Sequence, residues 1–78
     1  MSNIEKYNQI YEELFGNEIR DIELKELCYG TIGWDSVMNM DLLDMIQEVF
    51  NISMNPLDKM NFDSYLSGIE ILKKYNVF

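Results

Sequence analysis

Hydrophobic residues near the N-terminus recur every three or four positions, which is the spacing of one face of a helix. Charged and amide side chains fill the opposite face. Ser2 precedes this segment and Glu5 follows three residues later, a pairing typical of a capping box at a helix start. Gly16 and Asn17 supply a stop. The pattern predicts a first helix with a buried side formed by Ile4, Tyr7, Ile10, Tyr11, Leu14 and Phe15.

A second amphipathic segment begins at Asp35 and Ser36, either of which can cap the free amides of a helix start. It is expected to end near Asn51. Two hydrophobic residues, Val37 and Met40, fall on its polar side, which suggests a surface that meets a partner. At about 100° per residue, the apolar arc holds Met38, Leu42, Leu43, Met45, Ile46, Val49 and Phe50, and the polar arc holds Asp41, Asp44, Gln47 and Glu48.

The connection between these helices, residues 17–34, is long for a small domain. Its hydrophobic residues are irregularly spaced, so we predict a loop pinned to the bundle with one short turn around residues 23–27. Downstream, Asn55 followed by Pro56 predicts a short helix that reaches Met60.

Ser64 is the predicted cap of the last helix. Gly68 falls on the apolar side of this helix, where a glycine costs about 1 kcal/mol relative to alanine. It therefore indicates either a close approach of another helix or room for a guest molecule. The rest of the buried side consists of Tyr65, Ile69, Ile71, Leu72 and Tyr75.

Together these elements predict an all-α fold. We expect residues 1–78 to form one domain, a small four-helix bundle with three main helices, one short helix and a long first loop. No apolar run approaches the roughly 20 residues of a membrane helix, and the N-terminus lacks the pattern of a signal peptide. We therefore expect a cytoplasmic monomer.

Charge and composition exclude several classes of function. Fourteen acidic residues against six basic ones give a formal net charge of −8, which disfavours nucleic acids and anionic membranes and favours basic partners. The chain has no histidine, so the common zinc sites and the Ser-His and Cys-His catalytic pairs are excluded. Cys28 is the single cysteine and cannot form an internal disulfide. We expect no metal site and no enzymatic activity of the chain by itself.

Resemblance to the acyl carrier protein family rests on Gly33-Trp34-Asp35-Ser36-Val37, Met40-Asp41-Leu42-Leu43, Ile46-Gln47-Glu48 and Phe50-Asn51-Ile52, and it extends over nearly the whole chain. In that family the serine of an Asp-Ser-Leu core receives 4′-phosphopantetheine from coenzyme A, and the arm's thiol carries acyl groups as thioesters. Val37 stands where leucine is commonest, and a tryptophan before Asp-Ser is more typical of carriers in specialised pathways.

The resemblance implies that Ser36 is the attachment residue and that Asp35 helps a phosphopantetheinyl transferase hold Mg²⁺ and coenzyme A. It also implies a ligase that loads acyl or aminoacyl groups, and a downstream transferase or synthase. A helix N-terminus suits the anionic phosphodiester. Because the chain offers no base for Ser36, activation has to come from the transferase.

The acidic side of the second helix is the expected docking surface for these enzymes. Its carboxylates would pair with lysine and arginine, while Val37 and Met40 would fill small apolar pockets. Trp34 is either part of this surface or a buried anchor. The carboxylates are those of Asp35, Asp41, Asp44 and Glu48.

The same mixed face fits a second hypothesis, an acidic helical adaptor that docks a basic amphipathic peptide. In that case Ser36 is a helix cap and nothing more. A small hydrolase that uses Ser36 lacks a candidate base.

Overall fold

The computed structural model describes residues 1–31 and 33–78, and its helices confirm the predicted all-α bundle. They are α1 (Asn3–Phe15), α2 (Ser36–Phe50), the short α3 (Pro56–Asn61) and α4 (Tyr65–Lys73). Two 3₁₀ turns, Gly16–Ile19 and Leu24–Glu26, lie in the long connection between α1 and α2. Among the described residues no β-strand occurs, and none of the helices has the length and apolar character needed to cross a bilayer.

The helix ends follow the local signals in the sequence. The Ser2 hydroxyl accepts a bond from the Glu5 amide (3.3 Å), and the Glu5 carboxylate accepts one from the Ser2 amide (3.2 Å), which completes the predicted capping box. Gly16 ends α1 at a φ of +58°, and Asn51 ends α2 in the left-handed region at +53°. Because each signal lies within a few residues of the end that it sets, these boundaries are readable from the chain.

Aromatic rings fill the centre of the bundle, where α1 packs against α2. The Tyr11 ring lies 5.0 Å from that of Tyr7 and 5.3 Å from that of Tyr65, measured between centroids. It also contacts Trp34 at 5.8 Å and Phe15 at 6.1 Å. Such pairs add stabilisation beyond the area that they bury. The rings therefore form one continuous cluster that joins α1, α4 and Trp34, which lies two residues before α2.

Two residues predicted to be buried are exposed. Ile4 is 40% exposed and lies at the N-terminal end of α1, one turn before the first buried residue, Tyr7. Val49 is 42% exposed and faces a shallow depression of about 120 Å³, the α1 side of which carries the polar residues Lys6 and Glu13 among others. The helical period predicted correctly that each residue lies on the apolar side of its helix. Each is nevertheless exposed, because neighbouring elements do not cover it.

In α3 the usual arrangement of polar and apolar side chains is reversed, because its aspartate is buried and its large hydrophobic residues are exposed. The Asp58 side chain is 4% exposed, and it accepts hydrogen bonds from Lys74 Nζ and Tyr75 Oη, both at 2.6 Å. Leu57 and Met60, by contrast, are 65% and 78% exposed. Polar contacts with Lys74 and Tyr75 thus fix this short helix, and no local pattern in the chain indicates them.

These contacts predict a pH-dependent stability. The hydrogen bonds from Lys74 and Tyr75 lower the pKa of Asp58 from its ordinary 3.8. A carboxyl with a lowered pKa in the folded state stabilises that state above its unfolded pKa, and this contribution is lost as the pH falls through the folded value. We expect Asp58→Asn to lower the Tm at neutral pH, and the difference from wild type to shrink in melts below about pH 4.

Asp44→Asn is the matched control, since Asp44 is an exposed aspartate on α2. Its substitution is expected to leave the Tm nearly unchanged at both pH values. A constant difference between Asp58→Asn and wild type across the whole pH range would show that the ionised carboxylate is not what holds α3.

Candidate functional site

The site begins with a buried anchor. Trp34 is 1% exposed, and its indole Nε1 donates a hydrogen bond to Asn39 Oδ1 at 2.9 Å. Its ring lies 5.8 Å from the rings of both Tyr11 and Phe15. The interpretation of Trp34 as an anchor therefore holds. Its assignment to the docking surface is wrong, because the indole is needed in the core and has no exposed face to offer a partner.

Asp35 is the residue that caps α2. Its backbone is extended (φ −109°, ψ −172°), and its carboxylate accepts a hydrogen bond from the Met38 amide at 2.9 Å. Its carbonyl accepts from the Asn39 amide at 2.8 Å, which is the first backbone bond of the helix. The sequence left the choice between Asp35 and Ser36 open, and the structure settles the capping role on Asp35.

Ser36 is the first residue of α2 and is exposed to solvent. Within residues 1–31 and 33–78, no group forms a hydrogen bond with its hydroxyl. The first amides of a helix have no partner inside it, and the helix dipole places partial positive charge at this end. The Ser36 hydroxyl is thus an accessible group next to a surface that favours an anion.

Backbone hydrogen bonds shape the loop before the site. The Gly30 amide donates to the Trp34 carbonyl and the Trp34 amide donates to the Thr31 carbonyl, both at 2.8 Å. Gly30 and Gly33 have φ values of +92° and +72°, which residues with a Cβ rarely adopt. The Tyr29 amide also donates to a carbonyl just before α4, that of Asp63, at 2.7 Å. The loop is therefore fixed both to itself and to the start of α4.

A shallow depression of about 210 Å³ lies at the loop before α2 and is lined in part by Asp35. Among the described residues that line it, Tyr29 contributes a large side chain that reaches solvent, at 48% exposed. The other described lining residues are Gly30, Gly33, Trp34 and Asp35. The depression reaches the residue that directly precedes Ser36.

The acidic face of α2, defined as Val37, Met40, Asp41, Asp44 and Glu48, continues along the helix from the site. Val37 and Met40 are 67% and 66% exposed, as the sequence predicted, and the three carboxylates are exposed as well. Because α2 contains no lysine or arginine, its acidic side chains have no basic neighbour on their own helix. The salt bridges found among the described residues all lie elsewhere, at Glu23, Glu70 and Asp58.

Two residues of the site were missed by sequence reasoning. Asn39, the acceptor for Trp34, is a polar residue in the middle of the apolar arc of α2, and this misplaced polarity could have identified it. Tyr29 offered no comparable signal, because the exposure of a loop aromatic depends on how the loop folds back.

Comparison with protein-family models, with curated proteins and with solved structures gave no match. Within the described part of the chain, no group of three or more Cys, Asp and Glu side chains is arranged to hold a metal ion. The case for a function therefore rests on the residues of the site and on the resemblance in sequence.

The division of roles between Asp35 and Ser36 can be tested by stability. Asp35→Ala removes the cap and is expected to cost about 1 kcal/mol of unfolding free energy, or about 4–8 °C in Tm for a domain of this size. Ser36→Ala removes no contact and is expected to change the free energy by less than about 0.5 kcal/mol. Urea and thermal unfolding measure both.

Asp35→Asn is the control, since asparagine caps a helix about as well as aspartate. A Ser36→Ala variant as unstable as Asp35→Ala would instead identify Ser36 as a structural residue.

Proposed function

We propose that this chain is a discrete acyl carrier protein. Ser36 receives 4′-phosphopantetheine from coenzyme A, and the thiol of the arm carries acyl or aminoacyl groups as thioesters between separate enzymes. The observation that supports this most directly is the exposed hydroxyl of Ser36, the first residue of α2. Asp35 caps the helix, so the Ser36 hydroxyl is not needed for capping. An exposed serine that does nothing for the helix is available for modification.

The position of Ser36 at the start of α2 also suits the phosphodiester that the modification would form. A phosphodiester keeps its negative charge, and the free amides and dipole of a helix start stabilise an anion there. α2 is 15 residues long, so its dipole is fully developed. The chain has no histidine to deprotonate the serine, and the proposal therefore assigns that step to the transferase. Following the resemblance, Asp35 would help the transferase hold Mg²⁺ and coenzyme A.

The acidic face of α2 would serve as the docking surface for the transferase, the loading ligase and the downstream transferase or synthase. Each exposed ion pair contributes only about 0.2–1 kcal/mol, while long-range attraction by uncompensated carboxylates speeds encounter. Val37 and Met40, both about two-thirds exposed, would add small apolar contacts between the ion pairs. Such a surface supports brief complexes, as a carrier that visits several enzymes requires.

Modification in vitro tests the assignment of Ser36. We expect incubation with coenzyme A, Mg²⁺ and a broad-specificity phosphopantetheinyl transferase to add one phosphopantetheinyl group, detected by intact-protein mass spectrometry. Ser36→Ala is expected to gain nothing. Ser53→Ala, which changes an exposed serine outside the helices, is expected to react like the wild type.

Failure of the folded wild type to gain mass, or an equal gain by Ser36→Ala, would contradict the proposal. Circular dichroism of each variant before the reaction separates a chemical failure from a folding failure.

Charge reversal tests the docking surface with the same transferase. We expect Asp41→Lys/Asp44→Lys to lower kcat/KM for modification by about fivefold at low ionic strength, and by less in high salt. Glu12→Lys/Glu13→Lys makes the same change in net charge on exposed positions of α1 and is the matched control. An equal loss in both double variants would show that net charge matters and the α2 surface does not.

An acidic adaptor that docks a basic amphipathic peptide is the second candidate, and the exposed Val37 and Met40 among carboxylates are what favour it. The two functions differ in their need for the hydroxyl. An adaptor keeps its activity in the native pathway after Ser36→Ala, whereas a carrier loses it.

A further inference from the structure

The centre of the bundle contains a polar network that an acyl chain would have to disrupt. The Tyr7 hydroxyl donates to the Tyr65 carbonyl at 2.7 Å and lies 2.8 Å from the Tyr11 hydroxyl. The Tyr65 hydroxyl in turn donates to Asn8 Oδ1. Tyr7 and Tyr11 are 0% exposed. An alkyl chain inserted among these groups would leave buried hydroxyls and a carbonyl without partners, which is strongly unfavourable.

Gly68 indicates that the space between α4 and α1 is already filled. The sequence left two explanations for this glycine, a close approach of another element or room for a guest. A Cβ added at Gly68 would overlap the Tyr7 hydroxyl and the Phe62 ring. Both of these side chains are essentially inaccessible to solvent, at 0% and 1%. The glycine therefore serves a close approach, and the protein's own side chains occupy the place of a guest.

The interior is also closed at the residues that lead into α2. Trp34 lies two residues before Ser36, and its indole is held by Asn39 and by the rings of Tyr11 and Phe15. A chain that entered the bundle from Ser36 at this point would have to displace this ring from a close-packed environment. The surface depression that reaches Asp35 requires no such displacement.

We infer that the acyl group on the arm of Ser36 is carried outside the helical bundle, against the surface depression lined by Tyr29, Gly30 and Asp35, and that the cargo is a short or polar acyl or aminoacyl group. This inference rests on the proposed function of Ser36. A long alkyl chain held in water is driven to bury its apolar surface elsewhere. A carrier with a closed interior therefore suits a cargo that has little apolar surface to hide.

A chain-length series tests the inference. The transferase loads the protein with acetyl, hexanoyl or decanoyl groups, each joined to the pantetheine thiol position through a stable amide. We expect the Tm to agree within about 1 °C across the series. In amide NMR spectra, the changes relative to the protein that carries the arm without an acyl group are expected at Tyr29, Gly30 and Gly33, and not at the core residues Tyr7 and Ile46.

A sequestering carrier would behave differently. Burial of the chain would raise the Tm by about 5 °C or more for every two methylenes added. It would also shift the amides of Tyr7 and Ile46 as the chain lengthens. Either result overturns the inference.

Two side-chain variants test the surface position of the cargo. We expect Tyr29→Ala to reduce the cargo-dependent shifts of Gly30 and Gly33 at least twofold. Leu66→Ala, which removes a hydrophobic side chain 54% exposed on α4, is the control and is expected to leave them unchanged. Unchanged shifts in Tyr29→Ala would overturn the assignment of this surface.

A chemical route separates the inference from the proposed function. If the transferase adds no arm, the proposed function fails while the question of the interior stays testable. In that case a Cys28→Ser/Ser36→Cys variant is alkylated with bromoacetyl pantetheine derivatives that carry the same three acyl groups. The same pattern of Tm and amide shifts is expected, and a Tm that rises with chain length would overturn the inference here too.

Discussion

Burial of the Trp34 indole is the contact on which the geometry of the site depends. The ring joins the aromatic cluster of α1, and its N–H bonds to Asn39 one turn into α2. Because Asp35 and Ser36 follow directly, fixing Trp34 fixes where α2 begins and which residue caps it. Trp34 is therefore buried while Ser36, two residues later, is exposed.

The bundle combines a firmly packed aromatic interior with elements that are held by polar contacts. Tyrosine hydroxyls pair with each other and with the backbone inside the core, and burial raises the pKa of the Tyr7 and Tyr11 phenols. These groups stay neutral at ordinary pH, so the network is not lost by ionisation. The short α3, in contrast, depends on one buried carboxylate. The aromatic core and the short α3 therefore depend on different kinds of contact for their stability.

Sequence reasoning predicted the helices well because their signals are local. The box of Ser2 and Glu5, the Asn55-Pro56 pair and the Ser64 cap all act within one turn. Features set by distant partners were not predictable. Asp58 is buried only because the end of the chain, 16 residues later, supplies Lys74. Whether the space at Gly68 is filled likewise depends on a residue of α1, Tyr7. Whether Asp35 or Ser36 caps α2 depends on the conformation of the loop that leads into the helix.

Trp34 is the only tryptophan of the chain, and it lies two residues from Ser36 in a fully buried environment. Its emission arises from one place in the molecule, without contributions from other indoles. Any event at the first turn of α2 that loosens the ring or its bond to Asn39 will change that emission. The fold thus provides an intrinsic optical reporter two residues from Ser36, and no external label is needed to follow changes there.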